Sequence, residues 1–329
     1  MVTQAQIARK LGVSRQLVSF ALAGYPQIAA KSRKRILAAA LEMGYSPNPH
    51  ARALRRQRTG IIALWIPDQI STHYSNVARE IGRLLKQSRI ELIISEVGGD
   101  DARRLLSNVP VDAIFAVDAS KAVLAELEVL KAKSVPVVSL GTSCSRKTDS
   151  VQVDLLPGAI EVVEHLVGAG FRRIAHATFV RTNAANEGRR SGYLQAMQKA
   201  GLKPEFIYYP LTDQQRPIAR QLIRDYAQEH GRPEAIFCHS DDAALGIYRG
   251  LCDIGARVPD DVALVGCDGI EDTEYLGCPL TTLVQPVATM CATAWQFLQL
   301  RLESPDAPVQ RAILKPTLAI RDSSRRSTA

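Results

Sequence analysis

Eleven of the first sixty residues are lysine or arginine, and Glu42 is the only acidic residue among them. This segment carries a net charge of +10, whereas the other 269 residues hold 30 basic and 32 acidic side chains. The chemistry open to such a cluster is neutralisation of phosphates, so the pattern is typical of a nucleic-acid-binding segment joined to a neutral body. The alternative is a solvated basic tail. We favour a folded segment, because apolar residues recur in it at helical spacing: Ile7, Leu11, Val13, Val18, Leu22, Ile36 and Leu37.

Side chains that could perform catalysis do not form a recognisable motif. The chain lacks the Gly-x-Ser-x-Gly, phosphate-loop and His-Glu-x-x-His patterns, and its six cysteines include no Cys-x-x-Cys pair. His239 beside Asp241 and Asp242 suggests a metal or a general base, but we favour a role for Asp241 as the cap of the following helix. We therefore expect no enzyme, no cofactor and no metal site.

The chain contains no window that approaches 18 uninterrupted apolar residues, so we expect no membrane span. Polar residues stand where an export signal would need an apolar run. Scattered cysteines suit reduced thiols, and together these features predict a cytoplasmic protein.

Local capping signals predict the helices of the basic segment. Thr3 and Gln6 have capping-box spacing for a first helix. Gly12 permits a turn, and Ser14 is the N-cap candidate for a second helix over residues 15–22. Two helices joined by a short glycine-containing turn have helix-turn-helix spacing.

A third helix is expected over residues 31–43, with a poorly capped start. It should present four residues to the core: Ile36, Leu37, Ala40 and Leu41. The sequence of residues 47–49, Pro-Asn-Pro, then indicates the start of a short helix. Only about eight residues follow before Gly60, too few for a stable isolated helix, so this segment should fold on DNA.

From Ile61 onward, apolar runs alternate with amphipathic stretches. This pattern predicts parallel sheets covered on both faces. Roughly ten such units are too many for one compact sheet, so we expect two subdomains with a ligand cleft at the carboxyl ends of their strands. The predicted strands are 61–66, 92–95, 113–117, 135–140, 174–178, 235–238 and 262–265, and the predicted helices are 77–87, 159–169, 188–200, 217–229 and 243–254.

Several motifs carry a family resemblance. At the amino terminus they are Ile7-Ala8-x-x-Leu11-Gly12-Val13-Ser14-x-x-x-Val18-Ser19 and Gly44-Tyr45-x-Pro47-Asn48-x-x-Ala51-Arg52-x-Leu54. The body adds Asp241-x-Ala243-x-Leu245-Gly246, Gly266-x-Asp268 and Pro279-Leu280-Thr281-Thr282-x-x-Gln285-Pro286. The chain thereby resembles the lactose-repressor (LacI/GalR) family of transcription factors, up to about Asp322. The resemblance implies an all-α helix-turn-helix head and an α/β periplasmic-binding-protein-like body of two doubly wound parallel-sheet subdomains.

The resemblance also implies the domain boundaries. The chain is expected to cross between subdomains near Leu156, Pro286 and Leu314. The predicted divisions are the head at 1–46, a hinge helix and linker at 47–60, and an effector-binding and dimerisation domain at 61–329, whose N-terminal subdomain comprises about 61–156 and 287–313 and whose C-terminal subdomain comprises about 157–285 and 314–325.

In the family the second helix lies in the major groove, which implies that Arg15 and Gln16 read bases. Arginine bridges two acceptors on guanine, and glutamine pairs with adenine. Phe20 stands where many members carry a polar residue. It either contacts a thymine methyl or folds onto the core of the head. Phosphate contacts are expected from Ser14, Ser19, Lys31, Arg33, Lys34 and Arg35.

The family's hinge helix inserts a leucine into the minor groove beside its symmetry mate, and Leu54 occupies that place. An apolar wedge that kinks the duplex is a known device of minor-groove binders. The alternative for Leu54 is an interdomain core position. The surrounding arginines favour the wedge: Arg52, Arg55, Arg56 and Arg58.

The resemblance places Asp268 at the end of a strand, where the family holds a ligand hydroxyl or amine, and Arg189 opposite it. The alternative for Asp268 is a residue that caps a loop, and the alternative for Arg189 is an exposed charge on a helix. Tyr74, Asn76 and Ser240 are further effector candidates. A carboxylate facing a bidentate arginine fits a polar, hydroxyl-rich molecule.

These features predict a transcriptional repressor that binds double-stranded operator DNA as a homodimer. Its effector would be a small molecule such as a sugar, a sugar acid or a nucleoside. Two alternatives use the same body: a secreted solute-binding protein, which would need an export signal, and an α/β enzyme.

Overall fold

Two units, Met1–Thr59 and Gly60–Ala329, form separate folds in the computed structural model. We call them the head and the body. None of the described helices is long and apolar enough to cross a bilayer. The structure describes residues 2–45, 58–67, 71–88, 90–97, 110–119, 123, 135–179, 188–210 and 214–326.

The described part of the head consists of α1 (Gln4–Leu11), α2 (Arg15–Leu22) and α3 (Ala30–Glu42). At the start of α1, Gln6 N donates to Thr3 Oγ1 and Thr3 N donates to Gln6 Oε1, which completes the predicted capping box. Gly12 ends this helix with a φ of +65°. Ser14 Oγ then accepts from Leu17 N at 3.1 Å and caps α2. Both predictions of helix starts from cap residues are confirmed.

The start of α3 has no side-chain cap, as expected from Ala29 at its N-cap position. The prediction that Leu37 and Leu41 complete the core is wrong, because they are 46% and 85% exposed. They lie four residues apart on the helical strip beside the one that packs inward. The buried core of the head comprises Ile7, Ala8, Val18, Ala21, Ile36, Ala39 and Ala40.

Each half of the body contains a six-stranded sheet. The first sheet is wholly parallel, with strand order β11-β5-β4-β3-β1-β2. Its central strands are buried because apolar side chains point to both faces. Its strands are β1 (Ile61–Ile66), β2 (Glu91–Glu96), β3 (Ala113–Val117), β4 (Val137–Gly141), β5 (Asp149–Val153) and β11 (Arg311–Leu314).

The second sheet has the order β12-β10-β9-β8-β6-β7, and only its edge strand β12 runs antiparallel to its neighbour. Its strands are β6 (Ile174–Phe179), β7 (Glu205–Tyr209), β8 (Ala235–Cys238), β9 (Ala263–Asp268), β10 (Thr281–Val284) and β12 (Thr317–Ala319).

Helices cover these sheets, and one of them was not predicted from the sequence. α9 packs against α4, β4 and β5, so it belongs to the first subdomain although it follows β10 of the second. The described helices of the body are α4 (Thr72–Gln87), α5 (Leu156–Gly168), α6 (Gly188–Lys199), α7 (Gln215–His230), α8 (Asp241–Asp253) and α9 (Val287–Glu303).

The chain passes between the two sheets three times: between β5 and α5, between β10 and α9, and between β11 and β12. The crossing segments pack closely, since a Cβ on Gly158 would lie 2.7 Å from side-chain atoms of Leu283 and Pro316. In both sheets the strand order reverses beside the first strand, and ligands of such folds bind beyond the carboxyl ends of strands at that point. This edge is where the candidate effector residues lie.

Candidate functional site

The exposed face of α2 carries residues predicted to contact DNA. Arg15 and Gln16 begin the helix, and both are exposed. Ser14 Oγ accepts the capping bond from Leu17 N, so its hydroxyl hydrogen can still donate outward. Ser19 lies one turn beyond Arg15 and is half-buried. Arg15 and Gln16 are therefore exposed on the first turn of α2. In helix-turn-helix proteins this turn of the second helix reaches base edges.

Phe20 pairs with Tyr25 at the other end of α2. The two ring centroids lie 4.9 Å apart, Phe20 is half-buried, and Tyr25 is exposed. Phe20 is not part of the buried core of the head. Arg33 donates from Nη2 to the carbonyl oxygen of Tyr25, so part of this predicted phosphate-binding group fixes the turn between α2 and α3.

The hinge lies outside the described residues for most of its length. Arg52, Leu54 and Arg55, the three hinge residues predicted to contact DNA, are all outside them.

In the body, Asp268 is the centre of a buried polar cluster at the carboxyl end of β9. Gln285 Nε2 donates to Asp268 Oδ1 at 2.8 Å, and Arg189 Nη2 lies 3.4 Å from the same oxygen. His73 Nδ1, from the other subdomain, is 4.0 Å away. The backbone φ of Asp268 is +134°, a strained conformation for a residue with a Cβ. Three elements of the body thus converge on one carboxylate.

Burial raises the pKa of Asp268, and the charges of His73 and Arg189 offset part of this effect. Arg189 is itself buried and donates from Nε to Cys267 Sγ at 3.2 Å. It is therefore not the exposed helix charge considered as its alternative. A buried carboxylate facing a buried guanidinium presents an acceptor and a donor to a polar molecule.

Tyr74 anchors the N-terminal side of the cleft. Its hydroxyl donates to Asp118 Oδ2 at 3.3 Å, and burial together with the Asp118 charge raises the pKa of Tyr74 well above its usual range. Asp118 Oδ1 also accepts from the backbone N and the Oγ1 of Thr142. Asp118 follows β3 with a φ of +43°, so both subdomains place an aspartate of positive φ at the end of a central strand.

Ser240, predicted as an effector contact, caps α8. Its Oγ accepts from Ala243 N at 3.1 Å and donates to Gln215 Oε1 at 2.8 Å. The prediction that Asp241 caps this helix is wrong, because Ser240 occupies the N-cap and Asp241 is the first helical residue. The Asp241 side chain points instead into the second subdomain.

Asp241 holds the backbone that follows Asp268. Its Oδ2 accepts from Gly269 N at 2.6 Å and Ile270 N at 2.9 Å, and its Oδ1 accepts from Thr282 Oγ1 at 2.6 Å. Burial, followed by the Asp268 charge, raises the pKa of Asp241 to about 7.

A cavity of about 340 Å³ opens beside Asp268. Among its lining residues, His73 Nε2 and Gln285 Oε1 are buried and make no hydrogen bond within the described residues. Asn76 also lines it and accepts from Arg79 Nη2 through its Oδ1. Unpaired buried polar atoms are costly, so these two atoms indicate a ligand or solvent that satisfies them.

The sequence did not identify His73, Gln285 or Asp118 as site residues. Gln285 stands in the motif that ends with Pro286, and His73 precedes Tyr74, so weak signals existed for both. Asp118 directly follows an apolar run, the position at which strand-end ligands occur.

Two family profiles match the chain. The profile described as "Bacterial regulatory proteins, lacI family" matches residues 4–48, and the one described as "Periplasmic binding protein-like domain" matches residues 163–324. The first match contains all three helices described in the head.

Relatives span nearly the whole chain. The ribose operon repressor of Haemophilus influenzae is 28% identical over 332 residues, covering 98% of each sequence. Catabolite control protein A of Priestia megaterium is 28% identical over 304 residues, covering 90% of this chain and 91% of the relative.

Solved structures share the fold. The Lac repressor dimer bound to operator and the anti-inducer ONPF gives a TM-score of 0.81 at 24% identity, covering 98% of this chain and 99% of that chain. A LacI family regulator from Enterococcus faecium with bound ribose gives 0.71 at 21% identity, covering 82% of this chain and 100% of that chain. The predicted fold class is confirmed: a helix-turn-helix head followed by a two-sheet α/β body.

Proposed function

The chain belongs to the LacI family of bacterial regulatory proteins, and from this premise we propose that it represses transcription by binding operator DNA as a homodimer under the control of a small polar effector. The observation that carries the proposal is the presence, in one chain, of a basic head with exposed Arg15 and Gln16 and of a body with a polar cleft around Asp268. We also propose that it acts in the cytoplasm, where operator DNA lies. The proposal includes no catalytic step.

The cleft favours a hydroxyl-bearing effector. The amide nitrogen of Gln285 donates to Asp268, whereas its Oε1 accepts no hydrogen bond within the described residues. A ligand group that donates a hydrogen bond would satisfy this oxygen. A hydroxyl can donate to Gln285 Oε1 or His73 Nε2 and accept from the Arg189 guanidinium. Sugars, sugar acids and nucleosides carry such groups. This agrees with the names of relatives, which include a ribose operon repressor and regulators solved with ribose and cellobiose.

The control is a linkage between two sites. An effector that prefers one arrangement of the subdomains shifts the population toward it, and only one arrangement allows the paired hinges to fold on DNA. Coupling free energies of this kind are typically about 1–3 kcal/mol, which would change operator affinity by roughly 5- to 150-fold.

Selection of duplexes from a random pool by the full-length protein tests the DNA-binding part of the proposal. We expect a near-palindromic motif, because a two-fold dimer presents two copies of α2. If no sequence motif is enriched in the pool after repeated rounds of selection at low salt, the DNA-binding part of the proposal is contradicted.

Replacing Arg15 with alanine should relax base preference at one position in each half-site, by about 1–3 kcal/mol for a bidentate pair. The measurement is the binding-site logo of the variant. Arg9→Ala is the matched control, since Arg9 is an exposed arginine of α1 and should act on phosphates alone. If Arg15→Ala weakens all duplexes equally, as the control should, Arg15 does not read bases.

Replacing Leu54 with alanine should weaken binding to the selected operator far more than binding to random duplex, because the wedge operates only on a kinked site. Titrations by fluorescence anisotropy on both duplexes measure the ratio. Leu37→Ala, which shortens an exposed leucine of α3, should leave the ratio unchanged. Equal losses on both duplexes would exclude the wedge.

A further inference from the structure

The first turn of α4 is capped by a residue of the opposite subdomain. Ser71, at the N-cap position, makes no side-chain capping bond. Instead Thr72 N donates to Asp242 Oδ2 at 3.0 Å, and Thr72 Oγ1 donates to Asp242 Oδ1 at 3.0 Å. Asp242 is the second residue of α8, so one carboxylate lies at the amino-terminal ends of two helices that belong to different subdomains. Both helix dipoles favour a negative charge there.

Arg216 completes this contact from α7. Its Nε donates to Asp242 Oδ1 at 2.8 Å, its Nη2 donates to Thr72 Oγ1 at 3.0 Å, and the same Nη2 lies 3.3 Å from Asp272 Oδ1. The Asp242 side chain is buried although that of Arg216 is 44% exposed. The Asp242 carboxylate is therefore held in one orientation by its partners, and it accepts the Thr72 N–H with little further loss of side-chain freedom.

The turn that Asp242 caps also carries His73 and Tyr74, two residues of the cleft. His73 faces Asp268 across the subdomain boundary, and Tyr74 bonds to Asp118 within its own subdomain. Separation of the subdomains breaks this cap and moves His73 away from Asp268, so both changes occur in one motion.

We propose that Asp242 is a positioning residue of the effector cleft, which caps α4 across the subdomain boundary and so holds His73 against Asp268. This assignment rests on the proposed effector function of the cleft. On this proposal, the contact between His73 and Asp268 depends on one carboxylate that does not itself line the cavity beside Asp268.

Amide hydrogen exchange of the ligand-free full-length chain tests the proposal. Asp242→Ala should raise the exchange rate of residues 72–75 on the order of 5- to 30-fold, the change that corresponds to about 1–2 kcal/mol. Thr72→Val should raise it as well, whereas Thr72→Ser keeps the hydroxyl and should preserve protection.

Asp253→Ala is the matched control. Asp253 lies at the other end of α8 and pairs with Arg220 and Arg249, so its loss should leave residues 72–75 protected. Unchanged exchange of residues 72–75 in Asp242→Ala would overturn the positioning role. An equal rise in Asp253→Ala would also overturn it, because that result would show a general loosening of α8.

A second arm separates this proposal from the proposed function. D-ribose is added as the probe, and exchange is measured again in wild type and in Asp242→Ala. If D-ribose protects residues 72–75 in wild type, the protection should be reduced in Asp242→Ala, and equal protection in both proteins would overturn the positioning role. If D-ribose has no effect on either protein, the ligand-free comparison alone decides the role of Asp242. That result would count against a sugar effector and not against the positioning role.

Discussion

Replacing Asp268 with alanine should abolish the response of DNA binding to the effector while operator affinity without effector stays within a few-fold of wild type. Asp268 is the carboxylate on which Gln285, Arg189 and His73 converge. Loss of one partner of a buried, hydrogen-bonded charge pair costs a complex about 2–5 kcal/mol, so effector affinity should fall by roughly 30-fold or more. Thermal shift and operator titration with the effector measure the two parts of this prediction.

The same substitution leaves Arg189 buried without its carboxylate, which can destabilise a protein by about 3–5 kcal/mol. Asp268→Asn therefore serves as a second variant, because its amide oxygen can still accept from Gln285. Asp225→Ala, at an exposed position of α7, is the control for loss of a carboxylate. A folded Asp268→Asn protein that responds to effector as wild type does would place the effector elsewhere.

Replacing Asp241 with asparagine should change how stability depends on pH. The pKa of Asp241 is raised from 3.8 to about 7, so the folded chain retains a proton that the unfolded chain has already lost. The stability contributed by this proton is present below about pH 4 and is lost as pH rises to about 7. Asparagine cannot ionise, so the free energy of unfolding of the variant, relative to that of wild type, should rise by on the order of 4 kcal/mol across this window.

Urea unfolding of both proteins between pH 4 and pH 8 measures this difference. The charge of Asp241 interacts with three other titratable groups, Asp268, Cys238 and Cys267. Asp268→Asn is therefore measured in parallel, to separate the effects of the two carboxylates. Asp225→Asn should show no such trend. A constant difference between Asp241→Asn and wild type across the whole range would mean that Asp241 is ionised at its ordinary pKa in the folded protein.

The helices that the sequence predicted well are those whose ends depend on local chemistry. Thr3 and Ser14 cap α1 and α2 as expected, since a cap involves residues only three positions apart. Strands formed by continuous apolar runs were also found. Five strands were missed: β5, β7, β10, β11 and β12. In β5 and β10 the reason is that residues 149–153 and 281–284 contain polar side chains, which become buried only when distant partners pack on them.

Only those residues of the cleft that stand in a family motif or align with a family position could be predicted from the sequence. Asp268 and Arg189 came from the family resemblance, and the structure brings them to 3.4 Å. The roles of Asp241 and Asp242 could not be inferred locally. Asp242 accepts a hydrogen bond from Thr72, 170 residues away in the sequence. Helix-cap rules compare residues only a few positions apart, so they cannot predict this contact. Side chains that join subdomains therefore need the assembled fold to be recognised.

Effector-controlled DNA binding is tested most directly by measuring operator affinity and effector binding in one protein. The duplex selected from the random pool is titrated by fluorescence anisotropy, without and with each sugar, sugar acid and nucleoside that raises the melting temperature. We predict that at least one such compound changes operator affinity by roughly 5- to 150-fold and has no effect on affinity for random duplex. Two results would contradict control of operator binding by an effector: every compound that stabilises the body leaves operator affinity unchanged, or no duplex is preferred over random competitor.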